Sequence, residues 1–248
     1  MFGLGVAEPG SAMYLSGTSE VLGLISPQRR AEPGVVVFPA WRGITLHAGP
    51  TQSGGAALDW LGRLLGEGPD RLGARAAGVT LTMSSPLFLP HLSGERAPLW
   101  DPASRGAFAG LSGATGPAEL IASVMEGVAF AARLAFEAVE RSGGMRVELL
   151  RHGGGGAMSD SWCRIRANAL GRPLVRVAAP EAGAMGALVM AGVAVGLLPD
   201  LASAAAALVA VDRTFAPDPA AAALADRRFA LYQELYRATA PISAALAG

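Results

Sequence analysis

Three short stretches of this chain carry residue types that could bind a ligand. The first is His152-Gly153-Gly154-Gly155-Gly156-Ala157. Glycines let the backbone enter the left-handed region and let a ligand approach the main chain closely. A helix predicted over Ser159 to Leu170 would aim free N–H groups and a positive dipole end at that ligand. A tight strand-to-helix turn is the plainer explanation, but four consecutive glycines exceed what a turn requires. The same letters occur in the oxyanion loop of α/β-hydrolases. That chemistry needs a Gly-x-Ser-x-Gly elbow, and the sequence has none. The second stretch is Ser16-Gly17-Thr18-Ser19, where successive N–H groups and hydroxyls at a hairpin turn would form an anion nest. An ordinary polar hairpin loop would read the same. The third runs from Gly94 to Pro102, with Glu95, Arg96, Trp100 and Asp101 in a proline-rich loop. It could line a cleft, but chemistry alone favours an internally braced Ω-loop.

These stretches need elements to hold them. Short apolar runs at Ala12 to Leu15 and Val21 to Ile25 flank Gly17-Thr18-Ser19 and predict a β-hairpin. Val35 to Phe38 and Ile44 to His47 predict further strands. Ala56 to Leu65 has helical spacing, and Pro86 to Leu92 reads as extended. Gly116-Pro117-Ala118-Glu119 opens a long helix that stops at Gly143-Gly144. Val147 to Leu150 and Leu174 to Val177 predict strands around the Ser159 helix, which ends at Gly171. Helices follow over Ala184 to Val195, Leu201 to Ala207 and Ala220 to Ala245. Hairpins first, then strand–helix alternation, predict an α/β fold with a mixed sheet and helices packed on it.

Composition removes several alternatives. The 248 residues suit one large domain, and twenty basic and twenty acidic groups cancel. No basic excess points to nucleic acid. All twenty basic residues are arginine. Without lysine there is no P-loop, no protein-kinase active site, no pyridoxal Schiff base and no Ser-x-x-Lys acyl enzyme. A lone cysteine, Cys163, and three scattered histidines argue against a Cys/His metal site. Met1 to Gly10 lacks the features of a signal peptide. The apolar run Ala182 to Leu198 is seventeen residues long, short for a membrane span, and predicts a buried helix. A cytoplasmic protein without membrane attachment is expected.

The stretch Gly106 to Glu126 resembles a signature of the FGGY family of carbohydrate kinases. Gly106, Phe108, Gly110 and Leu111 match its first part. Glu119, Leu120, Ser123, Val124, Met125 and Glu126 match its second. Leu89-Pro90-His91-Leu92-Ser93-Gly94-Glu95-Arg96 is similar to the family's Pro-Tyr-Leu-x-Gly-Glu-Arg segment. Gly154-Gly155-Gly156-Ala157 followed by Trp162 is similar to its adenosine loop, and Gly17-Thr18-Ser19 to its phosphate hairpin. Glu181-Ala182-Gly183-Ala184-Met185-Gly186-Ala187 resembles a late helix start. Leu15-Ser16 reverses the usual Ser-Leu before Gly17. The match is nearest to the xylulokinase-like branch and weakest after Ala216.

The resemblance implies an actin-like (ribonuclease H-like) ATPase domain, and only the C-terminal, nucleotide-binding one, over residues 1–248. Gly17, Thr18 and Ser19 would meet the phosphates of ATP. Gly55 and Asp59 would sit near the nucleotide. Gly155, Gly156 and Ala157 would lie against the adenosine with Asp160 nearby. Mg²⁺ would bridge the phosphates. The sugar, most simply a pentulose such as xylulose, would need an N-terminal domain as well. The family's proton-accepting aspartate would fall a few residues upstream of Met1. Glu8 and Glu20 are the nearest carboxylates and neither stands at the matching place. No catalytic residue and no metal ligand is therefore assigned. Little kinase activity and weak ATP affinity are expected of these residues alone, with some self-association through an uncovered apolar wall. A non-catalytic nucleotide-binding remnant is the alternative account.

Overall fold

A computed structural model describes residues 1–41, 43–178 and 181–247. Its main sheet grows outward from one hairpin. β1 (Ala12–Ser16) and β2 (Glu20–Ile25) pair antiparallel, from Ala12 opposite Leu24 to Ser16 opposite Glu20. Alternation along each strand sorts the side chains onto two faces. Ala12, Tyr14, Leu22 and Leu24 enter one core, and Met13, Leu15, Val21 and Ile25 enter the other. β4 (Leu46–Pro50) adds antiparallel to β2, and β3 (Val36–Val37) adds to β4. On the opposite flank β7 (Leu150–Gly153) runs parallel to β1, and β8 (Leu174–Val177) runs parallel to β7. β9 (Val211–Phe215) closes that edge antiparallel. The order is β3-β4-β2-β1-β7-β8-β9, a mixed sheet whose N-terminal half is antiparallel, as expected. β5 (Leu87–Leu89) and β6 (Ala107–Ala109) form a separate ribbon.

Helices cover both faces. α3 (Pro117–Gly143) lies across the first face, where Phe136 and Val139 meet Tyr14, Leu22 and Leu24. Proline in its first turn and the Glu119 carboxylate, which accepts from the Gly116 N–H at 3.1 Å, begin it. Left-handed Gly144 ends it. α1 (Gly55–Leu65), α2 (Pro69–Ala77) and α4 (Asp160–Leu170) pack beside α3 around Leu58, Leu61, Leu72, Phe88 and Trp162. α7 (Pro219–Ala247) lies against α3 and α4 through Phe229 and Tyr232. On the second face, α5 (Ala182–Ala194) and α6 (Leu201–Leu208) pack with a 3-10 turn at Phe2–Leu4.

Several elements differ from expectation. The strand placed at Val147 to Leu150 starts at Leu150 and ends at Gly153. Pairing with β1 sets it: Met13 faces Arg151, Tyr14 faces His152 and Leu15 faces Gly153. α2, β6 and β9 were not anticipated. α5 is not the buried helix expected. It buries only Ala182, Val189 and Gly192, and leaves Leu188, Met190 and, just beyond its end, Val195 and Leu197 exposed. Among the described residues no helix is long and apolar enough to cross a membrane.

Candidate functional site

β1 and β7 are parallel neighbours whose chains leave the same sheet edge in opposite directions. β1 turns back into β2, while β7 continues through a 3-10 turn, Gly155–Met158, into α4. Such a divergence opens a crevice outside the carboxyl ends of the strands, where α/β proteins bind ligands.

Three glycine-bearing segments meet there. The N–H groups of Gly54 and Ala56 donate to the Thr18 carbonyl at 2.9 and 3.1 Å, and the N–H of Gly55 donates to the Gly17 carbonyl at 2.8 Å. The hairpin turn thus caps α1 and occupies its first donors. The glycine turn presses on the same hairpin from the other side. Gly154 has φ of 91°, and a Cβ there would strike the backbone of Ser16. A Cβ on Gly156 would strike the Ser16 hydroxyl. Gly155 differs: it is exposed and a Cβ would meet nothing within 4 Å. Packing therefore demands glycine at 154 and 156, and leaves open space at 155.

That space belongs to a cavity of about 430 Å³ between α2 and the glycine turn. Gly73, Ala74 and Ala77 of α2, with Pro69, Asp70 and Leu58, form one wall. Gly155, Gly156, Met158, Asp160, Trp162 and Arg164 form the facing wall. Ser161 ties the walls together by donating to the Gly73 carbonyl at 3.3 Å. A largely apolar ligand with a few polar groups suits such a lining.

The expected site residues distribute as follows. Gly155, Gly156 and Asp160 line the cavity. Gly17, Thr18 and Ser19 form the hairpin turn beside it, with Gly17 and Thr18 exposed. Gly55 touches that turn. Ala157 is buried, and its carbonyl accepts from Arg176 at 3.0 Å. Asp160 pairs with Arg176 at 2.8 Å and also with Arg213. Asp59 is not brought to the cavity; it faces a separate depression with Arg63 and Glu67, next to Pro69. Cys163 is buried, its thiol directed at the Ala157 carbonyl 3.2 Å away.

Beneath the site lies a buried polar network that the motifs did not indicate. Arg166 of α4 and Glu20 of β2 are fully buried and 2.7 Å apart. The signal was present in the spacing. Arg166 falls on the same stripe as Trp162, Cys163, Ala167 and Leu170, and Glu20 falls on the same strand face as Leu22 and Leu24. Opposite charges at apolar positions of two elements are a pairing signal.

The Gly94 to Pro102 loop is held from within. Glu95 and Asp101 exchange backbone bonds at 2.9 Å, and the Asp101 carboxylate accepts from Ala103, Ser104 and the Tyr236 hydroxyl. Trp100 is exposed with φ of 47°. Glu95 is buried, and its Oε1 accepts from the N–H groups of Gln52 and Arg96 at 2.6 and 2.7 Å. Its Oε2 has no hydrogen-bond partner and lies 3.5 Å from His91 Nε2. Burial pushes the Glu95 carboxyl up to about 7 and the His91 imidazole down to about 4. Arg96 donates to the Thr51 carbonyl, so the loop braces the approach to α1.

The fold is that of an actin-like ATPase domain. The chain belongs to the FGGY family of carbohydrate kinases, whose C-terminal domain matches residues 12–195. A glycerol kinase of Geobacter sp. (strain M21) is 34% identical over 224 residues, covering 88% of this chain and 45% of the relative. A xylulose kinase of Staphylococcus epidermidis is 28% identical over 249 residues, covering 98% and 50%. The structure of ligand-bound xylulose kinase from Lactobacillus acidophilus superposes with a TM-score of 0.88 at 28% identity, covering 96% of this chain and 49% of that one. The chain spans about half the length of the curated relatives it matches.

Proposed function

We propose that residues 1–248 act as a single C-terminal domain that binds ATP and ADP in the crevice between the Gly17–Ser19 hairpin and the Gly154–Gly156 turn. The adenosine occupies the cavity against Gly155, Gly156 and α2, and the phosphates reach the hairpin turn. The observation that carries this reading is the empty space at Gly155, between glycines that packing requires. Among the described residues no three His, Cys, Asp or Glu side chains gather to hold a cation. Mg²⁺ would arrive with the nucleotide phosphates.

In the whole enzyme this domain would present the γ-phosphate to a sugar hydroxyl held with the help of an N-terminal domain. Such transfer depends on in-line positioning and charge stabilisation, which one wall of a cleft does not supply. Residues 1–248 alone therefore bind nucleotide weakly and turn over little or no sugar. A pentulose is the favoured acceptor, supported by the xylulose kinase superposition. Exposed Leu188, Met190, Val195 and Leu197 favour some self-association, which sedimentation at rising concentration checks.

Calorimetric titration of the purified chain with ADP tests the assignment. Saturable binding that Gly155→Val abolishes is the expected result. No binding at millimolar ADP would overturn it. A xylulose-dependent phosphorylation assay on the same protein should stay at background, and robust turnover would refute the inactivity.

A further inference from the structure

Arg166 uses all three of its side-chain nitrogens in hydrogen bonds. Its Nε donates to the Tyr14 hydroxyl at 3.0 Å, and Nη1 donates to the Gly156 carbonyl at 2.7 Å. Nη2 donates to the Ser16 hydroxyl and to Glu20 Oε1, each at 2.7 Å. Tyr14 and Ser16 donate in turn to the two oxygens of Glu20. The guanidinium lies 3.8 Å from the Trp162 ring centroid, so its face is also covered.

Two of these acceptors belong to the two halves of the site. Ser16 is the last residue of β1 before the hairpin turn, and Gly156 lies in the glycine turn. Adjacent nitrogens of one rigid planar group therefore set the spacing between the turns. A buried ion pair contributes little net stability compared with an apolar pair of the same volume. What it does contribute is geometry: Gly156 and Ser16 cannot slide apart without stranding a buried N–H donor of Arg166.

We propose that Arg166, charged against Glu20, is the positioning residue of the nucleotide site, fixing the hairpin turn and the glycine turn at the separation one nucleoside diphosphate spans. This rests on the nucleotide assignment above. Arg166 acts through Gly156 and Ser16. The adenosine end needs the glycine turn alone, whereas a diphosphate needs both turns in register.

The test uses the 248-residue chain, titrated separately with ADP and with adenosine, alongside its thermal midpoint. Arg166→Lys keeps the charge opposite Glu20 but has one nitrogen, which cannot reach Ser16 and Gly156 with the same fork. The double variant Glu20→Met with Arg166→Met replaces the pair by apolar volume. Both should melt cooperatively, bind ADP at least about ten-fold more weakly, and bind adenosine within about three-fold of the unaltered chain. If the double variant does not fold, Arg166→Lys and the milder Ser16→Ala carry the comparison. Unchanged ADP affinity in Arg166→Lys would overturn the proposal, as would an equal loss of ADP and adenosine. Failure of the unaltered chain to bind ADP removes the nucleotide assignment itself, and this proposal with it.

Discussion

Two fully buried arginines, Arg166 and Arg228, use the same chemistry in different places. Arg228 of α7 grips the Glu126 carboxylate of α3, with Nη2 at 2.6 Å from Oε2. Its remaining donors go to the carbonyls of Thr82, Ser85 and Pro86 at 2.7, 2.8 and 2.9 Å. Those carbonyls belong to the segment leading into β5, which does not line the cavity at Gly155. Arg166 instead joins the two turns that bound the crevice. Both pairs sit among apolar side chains at a similar desolvation penalty. The difference teaches that burial and saturation of a charge do not reveal its purpose; the segments it joins do.

The largest way to break this comparison is Glu126→Ala, which leaves Arg228 buried with backbone acceptors alone. Removing one partner of a buried pair typically costs about 3–5 kcal/mol, read as a lower urea midpoint. The folded fraction should still bind ADP as the unaltered chain does, and weaker binding would erase the distinction between the two arginines.

Next come the glycines. Gly154→Ala forces a side chain into a backbone conformation essentially restricted to glycine, φ 91° and ψ 174°, and a collision with Ser16, costing about 1–3 kcal/mol for strain and about 1–3 more for overpacking. Gly155→Ala meets open space, so its unfolding free energy should move by less than about 0.5 kcal/mol. Its ADP affinity should nonetheless fall. A Gly155→Ala protein with full affinity would show that the space at 155 is not used.

The smallest effect sharpens the comparison with a third buried acid. Among the described residues Glu95 has no arginine salt bridge, and its carboxyl is pushed up to about 7 by burial. In the unfolded chain it loses its proton near 4.5, so its contribution to stability falls as the pH rises from 4.5 to 7. His91 and His152 act oppositely. Burial holds them uncharged down to about 4 and about 3, while unfolding lets them protonate near 6.5, so their contribution climbs with pH up to 6.5. Over the shared window the slopes oppose one another. Glu95→Gln removes the falling one, and stability should then rise more steeply between pH 4.5 and 6.5 than in the unaltered chain. Parallel curves for the two proteins would refute the shift assigned to Glu95.

Much of this was legible in the sequence, for local reasons. The first hairpin announces itself through alternation at Ala12–Leu15 and Val21–Ile25. β7 was misplaced by three residues because Val147 and Leu149 resemble strand residues, whereas the strand contains Arg151, His152 and Gly153. Pairing with Met13, Tyr14 and Leu15 decided it, and no local propensity reports a partner. The glycine turn was readable as a candidate because glycine runs are rare and have few uses. The opposite wall was not, since Gly73, Ala74 and Ala77 carry no chemical signal until α2 is placed across the cavity. Asp59, a carboxylate at a plausible spacing, faces a neighbouring depression instead, which helix spacing alone does not report.

One detail of the hairpin has a stereochemical consequence. The carbonyls of Gly17 and Thr18 point at the start of α1. Within a planar trans peptide the C=O and the following N–H are antiparallel. The N–H vectors of Thr18 and Ser19 therefore project away from α1, each polarised by the bond its own carbonyl accepts. The turn works as a two-peptide relay: it takes the positive end of the helix and re-emits it, displaced sideways and reoriented, from two backbone amides.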